Sequence, residues 1–245
     1  MDMDDMDFSK APPSFQEVRW ISTILLTTLA SGWLVCYIAT IAKAFRDRAC
    51  WMPIIPLSCN LSWELVFVFL YPPPRLPIVT FWLSLNLWVV FVAVKFASGS
   101  NKQSAVFSNG ALQRGAFFVL ATIFWGAGHV ALISQVGPLT AFYYGGLCCQ
   151  IMTSSAALDK LLKAGHTAGA SYTIWISRVI GTSSALLGVY FRAYYWPEVW
   201  AWASNPLMYW TTAAFIILDG LYGVAFWNIR RSEKQQQKRH ATKKN

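Results

Sequence analysis

The feature that most constrains this chain is a series of seven apolar stretches, each close to the length that crosses a lipid bilayer. A helix rises about 1.5 Å per residue, so about 20 apolar residues cross ~30 Å of hydrocarbon. Hydropathy predicts the spans at 19–42, 54–71, 78–96, 115–136, 138–158, 173–191 and 206–229. Charged residues are 13% of the chain, against roughly 25% in soluble domains. The sequence therefore predicts an all-α fold, a polytopic membrane protein with a seven-transmembrane-helix bundle.

The chain is predicted to form one integral membrane domain over residues 1–245, because no internal repeat or linker interrupts the spans. The second and third spans are close to the lower length limit, which leaves a six-span bundle as an alternative. The segment before the first span is acidic, whereas a cleaved signal peptide begins with basic residues. The first span is therefore predicted to be a retained signal-anchor helix.

The distribution of Lys and Arg predicts the orientation of the bundle. Of the 20 basic residues, fifteen fall at the span ends on the side of the C-terminus, Arg178 joins them on that side, and four fall on the side of the N-terminus. Cytosolic loops carry the excess of positive charge. Residues 1–17 are thus predicted to be a polar lumenal N-terminus, and residues 230–245 a basic cytosolic tail. This topology accounts for the net charge of +9, and a nucleic-acid partner is not expected.

Residues at the span ends predict how the helices begin and where the bundle meets the headgroups. Asn205 before Pro206 is typical of a helix start, and Pro138 in `QVGPL` predicts a very tight hairpin. Arg178 and Arg192, near the two ends of the sixth span, are expected to extend toward lipid headgroups. An aromatic belt is predicted from the tryptophans at span ends, which are Trp51, Trp196, Trp200, Trp202 and Trp210.

Two acidic residues, Glu64 and Asp219, lie deep inside predicted spans. Glu64 is 11 residues from one end of the second span, about 16 Å deep, and Asp219 is 10 residues from the same side in the seventh, about 15 Å deep. Each intramembrane acid costs on the order of 2.5–3.5 kcal/mol. Two carboxyl groups that meet in a dry cavity favour holding a shared proton. The two residues are therefore predicted to form a catalytic pair that stores an acid proton.

Other polar and aromatic residues are candidates to support this pair. Asn60 lies one helical turn before Glu64 and is a candidate hydrogen-bond partner of its carboxyl. His129 is a candidate for orienting a carboxyl, with a packing role as the alternative. Aromatic faces such as those of Trp63 and Tyr222 stabilise cations in a dry cavity, although packing is the commoner role. Taken singly, the two acids also suit interhelical hydrogen bonding or a proton relay in a transporter.

Two further patterns are predicted to carry no chemistry. The five cysteines form no CxxC pair and lie mostly in predicted spans, which favours reduced packing residues over disulfides or a zinc site. The `DMDD` stretch at residues 2–5 spells an acid motif of soluble class II terpene cyclases. It lies at the extreme N-terminus, so its aspartates are expected to be ordinary solvated carboxylates.

The segments `FSKAPPSFQ`, `PLSCNLSWELVF` and `ILDGLYGVAFW` resemble the small seven-span membrane-bound terpene cyclases of fungal meroterpenoid and indole-diterpene pathways, including the paxilline-pathway type. The resemblance covers essentially the whole chain. It implies that Glu64 and Asp219 match the pair of essential acids of that family. It also implies an enzyme of the endoplasmic reticulum that protonates the terminal epoxide of a farnesyl or geranylgeranyl chain and drives cationic ring closure.

The same resemblance implies a non-metal enzyme that uses no cofactor. The sequence lacks the aspartate-rich metal motif of diphosphate-ionising synthases, consistent with no Mg²⁺. The implied partners are an epoxidised prenyl substrate, the lipid bilayer, and the epoxidase and prenyltransferase of the same pathway. The alternative function is a proton-coupled seven-span transporter or receptor that uses Glu64 and Asp219 as a proton or ligand site. A transporter commonly repeats its topology, and no such repeat is detected here.

Overall fold

A computed structural model describes residue 3 and residues 7–73, 76–96 and 110–242, and within this part of the chain every regular element is helical. The predicted `DMDD` motif, apart from Met3, lies outside the described residues. The helices are α1 (Pro13–Asp47), α2 (Ile54–Phe69), α3 (Leu76–Phe96), α4 (Gly110–Val136), α5 (Pro138–Ala164), α6 (Tyr172–Tyr195), α7 (Pro197–Trp200) and α8 (Pro206–Thr242). The predicted all-α fold is confirmed.

Five of these helices, α1, α3, α4, α6 and α8, are long and apolar enough to cross a membrane. Helix α2 has 16 residues, just below the ~17 that a span needs. Helix α5 has 27 residues, and it includes the polar residues Gln150, Thr153, Ser154 and Asp159. The integral membrane fold is therefore supported by five helices, whereas the crossing of α2 and α5 stays a prediction.

The helix ends follow local sequence signals. The side-chain oxygen of Asn205 accepts a hydrogen bond from the backbone N–H of Met208 at 3.0 Å, so the predicted start of α8 is confirmed. Gly137 alone separates α4 from α5, with φ of 80°, which confirms the tight hairpin at `QVGPL`. Glycine adopts this φ without the steric cost that another residue would meet.

The bundle is built around close packing of α1 against α6. A Cβ placed on Gly32 would lie 2.7 Å from the backbone oxygen of Ser177 and 2.8 Å from Cα of Gly181. Only glycine allows the two backbones to approach this closely. Helix α2 packs against α3, α4 and α5, and α8 packs against α5. The concave space between α1, α2, α3, α5 and α6 contains the site described below.

The N-terminal segment differs from its sequence prediction, and much of the predicted basic tail is helical. In the N-terminal segment, Phe8, Ala11 and Phe15 are buried against α6 and the α7 region, so this part is not simply a polar extension. The reason is that these apolar side chains follow the acidic residues and cap the bundle. At the other end, α8 continues as a helix to Thr242, through most of the predicted basic tail.

The predicted aromatic belt is wrong for three of its five tryptophans. Trp51, Trp196 and Trp200 have exposed fractions of 4%, 4% and 0%. The Trp51 and Trp200 rings face inward because each packs against a buried arginine, as described below. Trp210 is exposed, as expected for the belt.

Candidate active site

An apolar cavity of ≈ 260 Å³ lies inside the bundle, between α1, α2, α3, α5 and α6. Its wall includes seven aromatic side chains, which are Phe8, Trp33, Tyr37, Trp63, Trp82, Phe142 and Tyr143. Along α6 the wall runs from Thr182 to Arg192, ten residues or about 15 Å at helical rise. The cavity is therefore a deep, aromatic-lined space inside the membrane-embedded part of the protein.

Glu64 lies at the inner end of this cavity and is 2% exposed. Its Oε1 accepts hydrogen bonds from the hydroxyl of Tyr37 at 3.2 Å and from Nδ2 of Asn60 at 3.3 Å. Its Oε2 accepts a hydrogen bond from Nδ2 of Asn86 at 3.1 Å. The predicted bond from Asn60 is thus confirmed. Helices α1, α2 and α3 each contribute one donor, which fixes the carboxyl at the cavity wall.

Asp219 is also 2% exposed, but it is not among the residues that line the cavity. Its Oδ1 forms a buried ion pair with the guanidinium of Arg178, and its Oδ2 accepts hydrogen bonds from Ser154 and, at 3.4 Å, from Gln150. Gln150 does line the cavity, and its Oε1 accepts a bond from Thr182 at 3.1 Å. Asp219 therefore reaches the cavity through Gln150.

The predicted meeting of the two carboxyl groups is not found. Among the described residues no hydrogen bond joins Glu64 to Asp219, and no residue bonds to both. The physical reason is that each acid has its own compensation: neutral donors for Glu64 and a cation for Asp219. A carboxylate paired with a guanidinium does not need to share a proton with a second acid.

Arg178 is buried rather than extended toward headgroups. Its exposed fraction is 1%, and its guanidinium carbon lies 4.7 Å from the ring centre of Trp51 and 5.4 Å from that of Tyr222. The prediction that Arg178 reaches lipid headgroups is wrong, because a carboxylate and two aromatic faces compensate its charge inside the bundle. The Tyr222 ring packs against the guanidinium of this ion pair, and Tyr222 does not line the cavity.

The other predicted supporting residues divide between the cavity and a separate cluster. Trp63 lines the cavity, and its indole N–H donates to the backbone oxygen of Phe142 at 2.9 Å. His129 contacts neither acid; its Nε2 lies 3.3 Å from the backbone oxygen of Cys59. The proposed role of His129 beside a carboxyl has no geometric support.

His129 instead forms a buried cluster with Cys59 and Cys149. One ligand atom from each of these residues lies within 4.8 Å of the others, and the two Sγ atoms are 3.5 Å apart. Structural zinc sites use four protein ligands, and a catalytic zinc needs an open position for substrate. None of the three residues lines the cavity. The cluster therefore does not contribute to the chemistry of the cavity.

Sequence reasoning missed three residues that donate hydrogen bonds to the two acids: Tyr37 and Gln150, which line the cavity, and Asn86, which does not. Asn86 lies 10 residues before the end of α3, about 15 Å deep, which is close to the depth of about 16 Å predicted for Glu64. A side-chain amide at this depth in a predicted span is a sequence signal of the same kind as the two deep carboxyl groups. Tyr37 gave no such signal, because aromatic residues are common throughout the spans.

These features define a helical membrane protein in which buried polar groups face an aromatic-lined internal cavity. A model of the Pyr4-like transmembrane terpene cyclases matches residues 6–232, so the chain belongs to this family. It is 61% identical to terpene cyclase olcD of Penicillium canescens over 242 residues, 99% of both chains. It is 41% identical to terpene cyclase esdpB of Penicillium shearii, covering 95% of both, and 35% identical to terpene cyclase paxB of Penicillium paxilli, covering 95% and 96%.

Proposed function

We propose that this membrane terpene cyclase protonates the terminal epoxide of an epoxyprenyl chain, farnesyl or geranylgeranyl, on a meroterpenoid or indole-diterpene precursor. The proton binds the epoxide oxygen, one C–O bond breaks, and neighbouring alkenes close rings through carbocations. The last cation loses a proton, so the product is an isomer of the substrate with a hydroxyl on the first ring.

The position of Glu64 carries this proposal. Of the two deep acids, it is the one whose side chain borders the cavity, where an apolar substrate would bind. A buried carboxylic acid in a dry cavity is a suitable donor for a weak base such as an epoxide oxygen. We therefore assign Glu64 as the proton donor and Asn60 as a residue that positions it.

In this proposal Asp219 acts indirectly. It neutralises Arg178 and accepts the hydrogen bond of Gln150, which borders the cavity. Its function is to hold the polar side chain of Gln150 in one position at the cavity wall. The aromatic faces of Trp63 and its neighbours stabilise the cationic intermediates, at about 0.5–2 kcal/mol each, and the apolar walls of the cavity disfavour water beside them.

We further propose that all seven long helices, including α2 and α5, cross the membrane of the endoplasmic reticulum with a lumenal N-terminus and a cytosolic C-terminus. The epoxidised substrate would enter from the bilayer, after the action of a prenyltransferase and an epoxidase. The relatives named as terpene cyclases support the class of reaction.

The test is cyclisation of an epoxyfarnesyl or epoxygeranylgeranyl substrate by microsomes that contain the wild-type protein or Glu64→Gln. Glutamine keeps the shape and cannot donate an acidic proton, so the rate should fall at least about a hundredfold. Glu198→Gln changes an exposed glutamate of α7 and should leave the rate unchanged. Near-wild-type cyclisation by Glu64→Gln, at equal protein level, would remove Glu64 from the mechanism.

A further inference from the structure

We propose that Arg192, at the outer end of the cavity, binds the head group of the substrate through an acidic oxygen: an ionised enol, phenol or carboxylate. The inference rests on the proposed function, because it assigns the second end of the same substrate. It adds a binding residue and a chemical class of head group to the reaction proposed above.

Arg192 is a buried cation that has no anionic partner among the described residues. Its exposed fraction is 2%, so the prediction that it reaches lipid headgroups is wrong. Its Nη1 donates to the hydroxyl of Tyr143 at 2.7 Å, whereas its buried Nε has no hydrogen-bond partner. Among the described residues no carboxylate forms an ion pair with it. A buried guanidinium that lacks a counter-charge is costly, and an anionic ligand would remove that cost.

The comparison with Arg178 shows what Arg192 lacks. Both arginines lie on α6 and both are almost fully buried. Arg178 has the carboxylate of Asp219. In the part of the chain that the structure describes, Arg192 has neutral neighbours instead, with its guanidinium carbon 4.5 Å from the ring centre of Trp200 and 5.8 Å from that of Tyr143. Within the described residues, one helix therefore carries one buried cation with a counter-charge and one without.

Arg192 forms part of the cavity wall, although most of its side chain is buried. Arg192 lines the cavity, as does Tyr143, which accepts its one side-chain hydrogen bond. A Cβ on Gly188 would lie 3.0 Å from Nη2 of Arg192, so glycine at this position leaves room for the guanidinium. The side chain is thus accommodated in the wall of the cavity, where neighbouring protein groups leave it 2% exposed.

The cavity is therefore polar at two ends and apolar between them. Arg192 is ten residues along α6 from Thr182, about 15 Å from the level at which Thr182 bonds Gln150. This matches a substrate with an oxygen at each end, the epoxide near Glu64 and the head group near Arg192. A guanidinium only donates hydrogen bonds, so it favours an oxygen acceptor over an indole N–H, which is itself a donor.

The experiment compares two epoxyprenyl substrates that differ only at the head: one with a free acidic hydroxyl and one with the same oxygen methylated. The kcat/KM ratio of this pair is measured for wild type, Arg192→Gln, Arg192→Lys and Arg19→Gln. Arg19 is a matched control, because its guanidinium carbon lies 5.8 Å from the ring centre of Phe8, close to the 5.9 Å of Arg192, yet it is exposed and outside the cavity. A ratio is independent of the amount of folded enzyme.

Wild type and Arg19→Gln should prefer the free hydroxyl on the order of 10- to 100-fold, mainly through KM, and Arg192→Gln should lose most of this preference. Arg192→Lys should keep part of it, because the charge remains. A preference that survives in Arg192→Gln, or that is equally lost in Arg19→Gln, overturns the proposal. If wild type does not cyclise either substrate, the proposed function fails. In that case, the role of Arg192 is tested separately, by measuring how the wild type and Arg192→Gln bind the same two compounds without their epoxides.

Discussion

The buried ion pair between Arg178 and Asp219 predicts that Asp219→Asn destabilises the fold as well as affecting activity. Asparagine is nearly isosteric with aspartate, so packing is kept and the negative charge alone is removed. Arg178 would then be a buried cation, and its Nε and Nη1 already have no hydrogen-bond partner. The Trp51 and Tyr222 rings contact the guanidinium in both proteins, so they do not offset the change.

The expected cost follows from the burial of both partners. Removing one member of a buried ion pair costs about 3–5 kcal/mol, because the other charge is left uncompensated. At roughly 2–4 °C per kcal/mol for a chain of this size, the melting temperature should fall by about 6–20 °C. Ser154 and Gln150 would retain a polar partner in the asparagine, so their bonds account for little of this loss.

Thermal unfolding of purified protein in detergent, followed by tryptophan fluorescence, measures the effect. The matched control is Asp159→Asn, which breaks an ion pair with Lys163 in which both side chains are more than half exposed; it should cost less than about 1 kcal/mol. The double variant Arg178→Met, Asp219→Leu removes both charges and should recover most of the lost stability. A melting temperature of Asp219→Asn within about 2 °C of wild type would refute the reasoning.

Two further predictions concern packing and the site. Gly32→Ala places a Cβ within 2.8 Å of the α6 backbone and should destabilise the protein by about 1–3 kcal/mol or more. The control is Gly128→Ala, whose Cβ would meet no neighbouring helix within 4 Å and which should be neutral in the same melting assay. Asn86→Leu removes the donor to Oε2 of Glu64 and should lower kcat about 10- to 100-fold with little change in KM, measured by single-substrate kinetics in microsomes. Unchanged kcat in Asn86→Leu would show that this bond does not matter for proton transfer.

The helical fold and the two deep acids were predictable because they depend on properties that a sequence carries locally. Hydropathy over about 20 residues defines a span, and a carboxyl inside it is conspicuous. The start of α8 at Asn205 and the hairpin at Gly137 were equally local. The bond between Asn60 and Glu64 was predictable because both lie on one helix, a turn apart.

The partners across helices were not predictable in the same way. Depth along the membrane normal follows from counting residues, whereas the rotation of each helix about its axis and its neighbours in the bundle do not. Glu64 and Asp219 have similar predicted depths, yet their hydrogen bonds come from different helices. The position of Arg178 near a span end predicts contact with headgroups. The sequence alone does not show that the carboxylate of Asp219 on α8 lies beside it.

The separate surroundings of the two acids alter how acid chemistry can be understood in this cavity. Under the proposed function Glu64 begins neutral and becomes a carboxylate when its proton moves to the epoxide. Tyr37, Asn60 and Asn86 all direct donors at it, and donors stabilise a carboxylate more than a neutral acid. Their contribution therefore grows as the proton leaves, which lowers the barrier rather than strengthening the ground state. Burial in an apolar cavity disfavours the ionised form of Glu64. The three donors offset this desolvation cost, which a second carboxylate placed nearby would have increased.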